Sequence, residues 1–235
     1  MEIIVLKITN YKEKDAIIEG LTEEGNQSFL VKGLMSPKST NIVLGNNLVY
    51  ADIELQEGKY KHPIIKKSKI ILSPYHLNDD LDTLAAINLI DEITLNLLQE
   101  EERGALYGSL KEVIKKLQER KISPLSISLI YFMKVLEESG YSFEANRCMR
   151  CNTTKGIATF SFSEGGFICK NCLTEEIKLG LSKNAMIAIR KAIIAKEYEE
   201  IEELSFPVYK EILKELKTFV FDFLGVKLTS IELFI

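Results

Sequence analysis

Four cysteines packed into a short stretch constrain this chain more than any other feature. They stand at Cys148, Cys151, Cys169 and Cys172, spaced C-x2-C-x17-C-x2-C. Two such knuckles at that separation match four-thiolate zinc sites, where each knuckle turns both sulfurs onto one ion about 2.3 Å away. The segment between them predicts a β-hairpin. Ile157-Ala158-Thr159-Phe160-Ser161-Phe162 alternates, Gly165-Gly166 turns, and Phe167-Ile168 returns to the second knuckle. Disulfides are the competing use, but a cytoplasmic chain keeps thiols reduced and redox C-x-x-C pairs rarely come in twos. Four thiolates leave Zn2+ no open position, so the expected metal role is structural. A zinc deaminase would need H-x-E and P-C-x-x-C. Arg147 precedes Cys148, Ile168 precedes Cys169, and the two histidines, His62 and His76, lie far upstream.

Around this module the periodicity changes twice. Residues 1–76 read as strands: Glu2–Lys12, Asp15–Leu21, a turn over 22–26, Gln27–Leu34, then Val49, Ala51, Ile53 and Leu55 alternating with Tyr50, Asp52 and Glu54. Ile64-Ile65 with Ile70-Ile71-Leu72 suggest a fifth strand. Five short strands without a clear helix predict a small closed barrel, with the OB-fold as leading candidate. After Ser73-Pro74 the apolar spacing becomes helical. Helices are expected from Asn78, over Arg103–Arg120, from Ser123-Pro124 to Gly140, over Ser182–Ala195 and over Ser205–Leu224. The chain is thus expected to be an α+β multidomain protein. It would comprise a five-stranded OB-fold barrel (1–76) and an α-helical domain (77–145 and 175–235) carrying an inserted four-cysteine zinc hairpin, a zinc-finger insertion over 146–174.

Composition narrows function by exclusion. Hydrophobic residues at 46% and charged residues at 27% are ordinary for a globular chain. No apolar run is long enough to span a bilayer, and the N-terminus lacks a signal peptide, so a cytoplasmic protein without membrane contact is expected. Gly33-Leu34-Met35-Ser36-Pro37-Lys38-Ser39 superficially resembles a phosphate loop, but Pro37 and Lys32 occupy the places of its two essential glycines. Without other catalytic motifs the chain is expected not to be an enzyme.

The net charge of −4 hides local differences. Residues 78–145 are strongly acidic, whereas 146–174 carry Arg147, Arg150, Lys155 and Lys170 against one acid. Gly58–Asn78 holds Lys59, Lys61, Lys66, Lys67 and Lys69 with no acid, interleaved with Tyr60 and Tyr75. Lysines neutralise phosphates and aromatics on such barrels stack on unpaired bases, so this stretch is a candidate nucleic-acid contact. A solvated edge strand guarded by lysines is the alternative.

The order barrel, helical domain, cysteine hairpin, further helix resembles the bacterial recombination mediator family RecO. Matching words are Val5-Leu6-Lys7, Tyr11-x-Glu13-x-Asp15, Leu21-Thr22-Glu23-Glu24-Gly25 and Lys32-Gly33 with Lys38-Ser39. Phe132, Leu136 and Gly140-Tyr141 follow, then Phe160-Ser161, Gly165-Gly166-x-x-Cys169-x-x-Cys172, Leu224-Gly225 and Ser230. The resemblance implies DNA repair by homologous recombination. Its members bind single- and double-stranded DNA and anneal complementary strands coated with single-strand-binding protein. They engage that protein's acidic C-terminal tail and, with RecR, help load RecA. It also implies that the four cysteines are zinc ligands, that Lys32 and Lys38 contact DNA, and that the protein works at the nucleoid. Family members usually carry further bases after Lys-Gly, where this chain has Leu34 and Met35. Two rival classes share the features: an interaction adaptor without DNA affinity, and an RNA-binding factor.

Overall fold

The computed structural model describes residues 1–58, 61–77, 79–177, 180–201 and 203–234. In order, its elements are β1 (Glu2–Tyr11), β2 (Asp15–Thr22), β3 (Gly25–Val31), β4 (Tyr50–Leu55), β5 (Ile65–Leu72), α1 (Leu81–Asn96), α2 (Tyr107–Glu119) and α3 (Pro124–Glu138). Then come β6 (Glu144–Cys148), β7 (Ile157–Ser161), β8 (Gly166–Cys169), α4 (Lys183–Ile194) and α5 (Phe206–Phe219). The chain divides into two compact units, one of residues 1–79 and 98–121, the other of 80–97 and 122–235.

The first unit is the expected five-stranded antiparallel sheet, in the order β3-β2-β1-β4-β5. β1 pairs along its length with β2 and, at its start, also with β4, and a bulge between Val5 and Lys7 lets it bend. The sheet curls but does not close into the barrel expected of it, its edge strands touching at a single point. Leu30 on β3 and Ile64 before β5 form one parallel bridge, and the Leu30 N–H donates to the Pro63 carbonyl at 2.9 Å. The seam of this OB-type sheet is therefore one bridge wide rather than a continuous ladder. Alternate residues Ile3 and Val5, Ala16 and Ile18, Phe29 and Val31, and Val49, Ala51 and Ile53 fill its core, as a period of two requires.

Two further expectations need correction here. Tyr50, expected on the solvent side of β4, is buried. Its ring lies under the Lys111 ammonium at 4.6 Å, and its hydroxyl donates to Glu2. Residues 98–121, which periodicity places in the helical domain, belong with the sheet. Arg103 pairs with Glu19 on β2 at 2.7 Å, Lys111 with Glu2 on β1 at 3.4 Å, and the Gln118 side chain accepts from the Ser73 N–H at 2.9 Å. The helical pattern of α2 is legible in the sequence, but the strands it covers are not, because its partners lie far away along the chain.

The second unit is built around α3. Pro124 opens it, and Leu125 through Met133, Val135 and Leu136 are all buried. Such an all-round apolar helix must be covered on every side. Two buried hydroxyl pairs set its orientation: Thr94 Oγ1 on α1 lies 2.8 Å from the Tyr131 hydroxyl, and Ser128 Oγ lies 2.6 Å from the Tyr209 hydroxyl on α5. Glu92 on α1 accepts from the N–H groups and hydroxyls of Thr229 and Ser230, which ties the C-terminal turn to that helix. The helical stretch expected over Ser205–Leu224 is continuous but changes its hydrogen-bond pattern near the end. α5 stops at Phe219, and a single π turn over Val220–Leu224 leads to Gly225.

The Thr94–Tyr131 pair predicts an asymmetry. Thr94 already donates to the Ile90 carbonyl at 2.6 Å, so the tyrosine is the donor between them. Tyr131→Phe removes one hydrogen bond and leaves Thr94 satisfied, at a cost of about 1 kcal/mol; Thr94→Val strands a buried hydroxyl, at about 2–3 kcal/mol. Urea unfolding of the two variants checks the order.

Candidate functional site

The four cysteines converge. β7 and β8 form the expected hairpin, and β8 also pairs in parallel with β6, a strand the alternation does not reveal because it spans five residues and ends in the first knuckle. The Sγ atoms of Cys148, Cys151, Cys169 and Cys172 all lie within 4.8 Å of one another, with Cys151 and Cys169 at 3.6 Å. A tetrahedral ion about 2.3 Å from each sulfur needs sulfurs roughly 3.8 Å apart, so the cluster fits one cation. At Cys148 burial opposes ionisation, but N–H groups of Cys169, Cys151 and Arg150 point at the sulfur and hold its pKa down to about 6. Cys172 is pushed up to about 12, chiefly by its hydrogen bond with Cys151 and then by burial. One thiolate forms readily, then, and further negative charge among these sulfurs calls for a cation.

The hairpin's phenylalanines pack on one another and, through Phe162, on α5. Phe160 meets Phe162 and Phe167 at centroid distances of 4.9 and 5.1 Å, Phe162 meets Phe143 at 5.3 Å, and Phe219 on α5 meets Phe143 at 5.6 Å and Phe162 at 5.8 Å. Half of the module's positive charge is already engaged. Arg147 pairs with Glu144 and Arg150 with Glu164, both at 2.9 Å, whereas Lys155 and Lys170 are exposed.

The candidate DNA lysines fall into distinct environments. Lys59, with the neighbouring Tyr60, lies outside the described residues. Lys61, Lys66, Lys67 and Lys69 are exposed, but strand register places Lys67 opposite Glu54 and Lys69 opposite Asp52. Opposite charges across a strand pair are stabilising neighbours, so these two serve the sheet first. Tyr75 is half-buried rather than presented. Lys32 and Lys38 sit exposed on the connection from β3 to β4, with no acid in that connection.

That last fact exposes a signal that lysine density alone does not reveal. From Gly25 to Ala51 the chain has no Asp or Glu, a gap longer than the lysine-rich one in a chain with 34 acids. Folding brings further bases to it. The Met35 N–H donates to the Lys14 carbonyl at 3.0 Å, and the Gly33 N–H, at a φ of 66° that suits glycine, donates to Asp15 at 2.8 Å. The turn from β1 to β2, with exposed Tyr11, Lys12 and Lys14, is therefore pinned beside Lys32 and Lys38.

The chain thus joins a sheet with a basic loop face to helices that carry a four-cysteine hairpin, and two family models together span nearly all of it. The N-terminal model of recombination protein O matches residues 1–73 and its C-terminal model residues 78–232. A DNA repair protein RecO of Acetivibrio thermocellus is 29% identical over 218 residues, covering 91% of this chain and 85% of the relative. That of Caldanaerobacter subterraneus subsp. tengcongensis is 26% identical, covering 89% and 86%. That of Thermoanaerobacter sp. is 24% identical, covering 97% and 94%. The chain belongs to the recombination protein O (RecO) family. Among the described residues no helix is long and apolar enough to cross a membrane.

Gly166 is the position on which the hairpin closes. At its φ of 156° a Cβ would sit 2.5 Å from the Glu144 carbonyl oxygen, inside the parallel pairing of β6 with β8. Gly166→Ala should separate those strands and destabilise the protein by about 2–4 kcal/mol. Thermal unfolding measures the loss, and limited proteolysis should place the first cleavage between residues 144 and 172.

Proposed function

We propose that this chain is a recombination mediator without catalysis of its own. It binds single- and double-stranded DNA through the N-terminal sheet, anneals complementary strands coated with single-strand-binding protein, and works with RecR to load RecA. The observation that carries the DNA reading is the acid-free β3–β4 connection bearing Lys32 and Lys38, in a chain whose family is named for DNA repair and recombination. Lysines there neutralise phosphates, lowering repulsion between two strands so that base pairing can zip them together. Annealing releases free energy and needs no nucleotide, which accords with Pro37 where a phosphate loop needs glycine. The tail of single-strand-binding protein is acidic and would meet the helical unit through charge-assisted contacts. The site of action on this reading is the cytoplasm, at the nucleoid.

Zn2+ is the cation we assign to the thiol cluster. Cys148, Cys151, Cys169 and Cys172 would hold it, and it supplies a cross-link between the two knuckles. One observation favours the adaptor reading instead: Lys67 and Lys69 face acids and have less charge to offer phosphate. That reading predicts no DNA affinity.

Two experiments test the proposal. Complementary oligonucleotides, each coated with single-strand-binding protein, should anneal faster with this protein and without ATP, and the gain should vanish when the coating protein lacks its tail. Lys32→Glu with Lys38→Glu should cut DNA affinity at least tenfold and lower the salt slope by about two, whereas Lys67→Glu with Lys69→Glu should do less. No affinity at low salt would support the adaptor. For the metal, the purified chain should carry one zinc per molecule, lost in Cys172→Ser and on acidification as protons compete for the thiolates. A metal-free protein with an unchanged melting temperature would refute that assignment.

A further inference from the structure

We infer that the β1–β2 turn and the β3–β4 connection together form a reader of unpaired bases, with Tyr11 and Met35 as its contacts to base faces. The inference rests on the DNA-binding reading above and adds to it which form of DNA is preferred and which side chains decide.

Tyr11 ends β1 with its side chain 42% exposed, and the Lys12 ammonium stands 5.3 Å from its ring centroid. Met35 is also 42% exposed, because its neighbour Leu34 is buried in the sheet's core and turns the next side chain outward. Neither exposure results from a loose segment. Tyr11 pairs with Asp15 across the turn, Asp15 holds the Gly33 N–H, and Lys14 holds the Met35 N–H. Farther along, Ser39 donates back to the Ser36 carbonyl at 2.9 Å, and buried Asn41 accepts from Ser68 on β5 at 2.8 Å. The backbone that presents an aromatic and a thioether to water is thus pinned, among Lys12, Lys14, Lys32 and Lys38. Glu13 at the turn tip is the one exposed acid of this group.

Charge alone would serve a duplex as well as a single strand. Exposed apolar faces would not, since stacked bases hide theirs, and an aromatic or apolar side chain reaches them in a duplex only at the cost of unstacking it. Phosphate contact by lysines with base contact by Tyr11 and Met35 therefore favours single strands. It also leaves the pairing edges of the bases free, as a strand awaiting its complement requires.

The sequence has no tryptophan, so Tyr11→Trp places a unique fluorophore at the contact. Titration with oligothymidylate should quench its emission strongly, and a duplex of equal length, bound to saturation by anisotropy, should leave it nearly unchanged. In parallel, Tyr11→Ala and Met35→Ala should each weaken oligothymidylate binding by roughly five- to tenfold with an unchanged salt slope, and duplex binding by less than twofold. Melting temperatures of all variants should match that of the unaltered protein. Equal losses on both substrates, as an apolar wedge into duplex would give, or no quenching at saturation, would overturn the inference while DNA binding itself stood. If the unaltered protein bound neither substrate, the DNA-binding reading would fall with it.

Discussion

Hydroxyl groups buried against α3 are what the helical unit depends on for its arrangement. The helix is apolar on nearly every side, and apolar burial is non-directional, so dispersion and solvent exclusion alone would tolerate several rotations about its axis. Tyr131 against Thr94 and Ser128 against Tyr209 remove that freedom, because any other rotation leaves hydroxyls in the core without partners. Burial also pushes both tyrosine pKa values up well beyond their ordinary value of 10, so the pairs remain neutral hydrogen bonds at any physiological pH. With α1 and α5 oriented on α3, Glu92 can collect the C-terminal turn and Phe219 can receive the hairpin.

The cysteine hairpin depends on that frame from one side and on its sulfurs from the other. Phe160 and Phe162 pack on Phe143, and Phe162 on Phe219 of α5, while the two knuckles bring their four sulfurs together. Four sulfurs this close repel once ionised, and hydrogen bonds to Cys148 ease the first charge only. A metal cross-link there would complete a fold that is half supported by packing.

What can be read in the sequence follows from range. The knuckles, the hairpin between them and the helix opened by Pro124 are local patterns, and each stands where spacing and periodicity put it. The parallel partner β6 and the packing of α2 on strands are illegible, since both depend on residues far apart in the chain. Strand register is the decisive loss for function. A run of lysines without an acid looks uniformly basic, yet pairing with β4 sets Glu54 and Asp52 across from two of them. Conversely, the acid-free stretch from Gly25 to Ala51 is plain in the sequence, and attention to lysine density alone passes over it.

Charge segregation also bears on how an acidic protein could hold DNA. The overall charge of −4 repels phosphate at long range, and residues 78–145 are its most acidic part. At physiological salt the Debye length is about 8 Å, so charges farther from a phosphate than that are screened while lysines in contact with it are not. A local face that sets exposed Lys12, Lys14, Lys32 and Lys38 against one exposed acid can then outweigh the sign of the whole. It would bind weakly enough to release a strand once paired, since annealing needs turnover as much as capture. On the reading proposed above, apolar contacts from Tyr11 and Met35 would suit that balance: they would form with an unpaired base and be lost when it stacks into a duplex, so the product would loosen the grip that held the reactant.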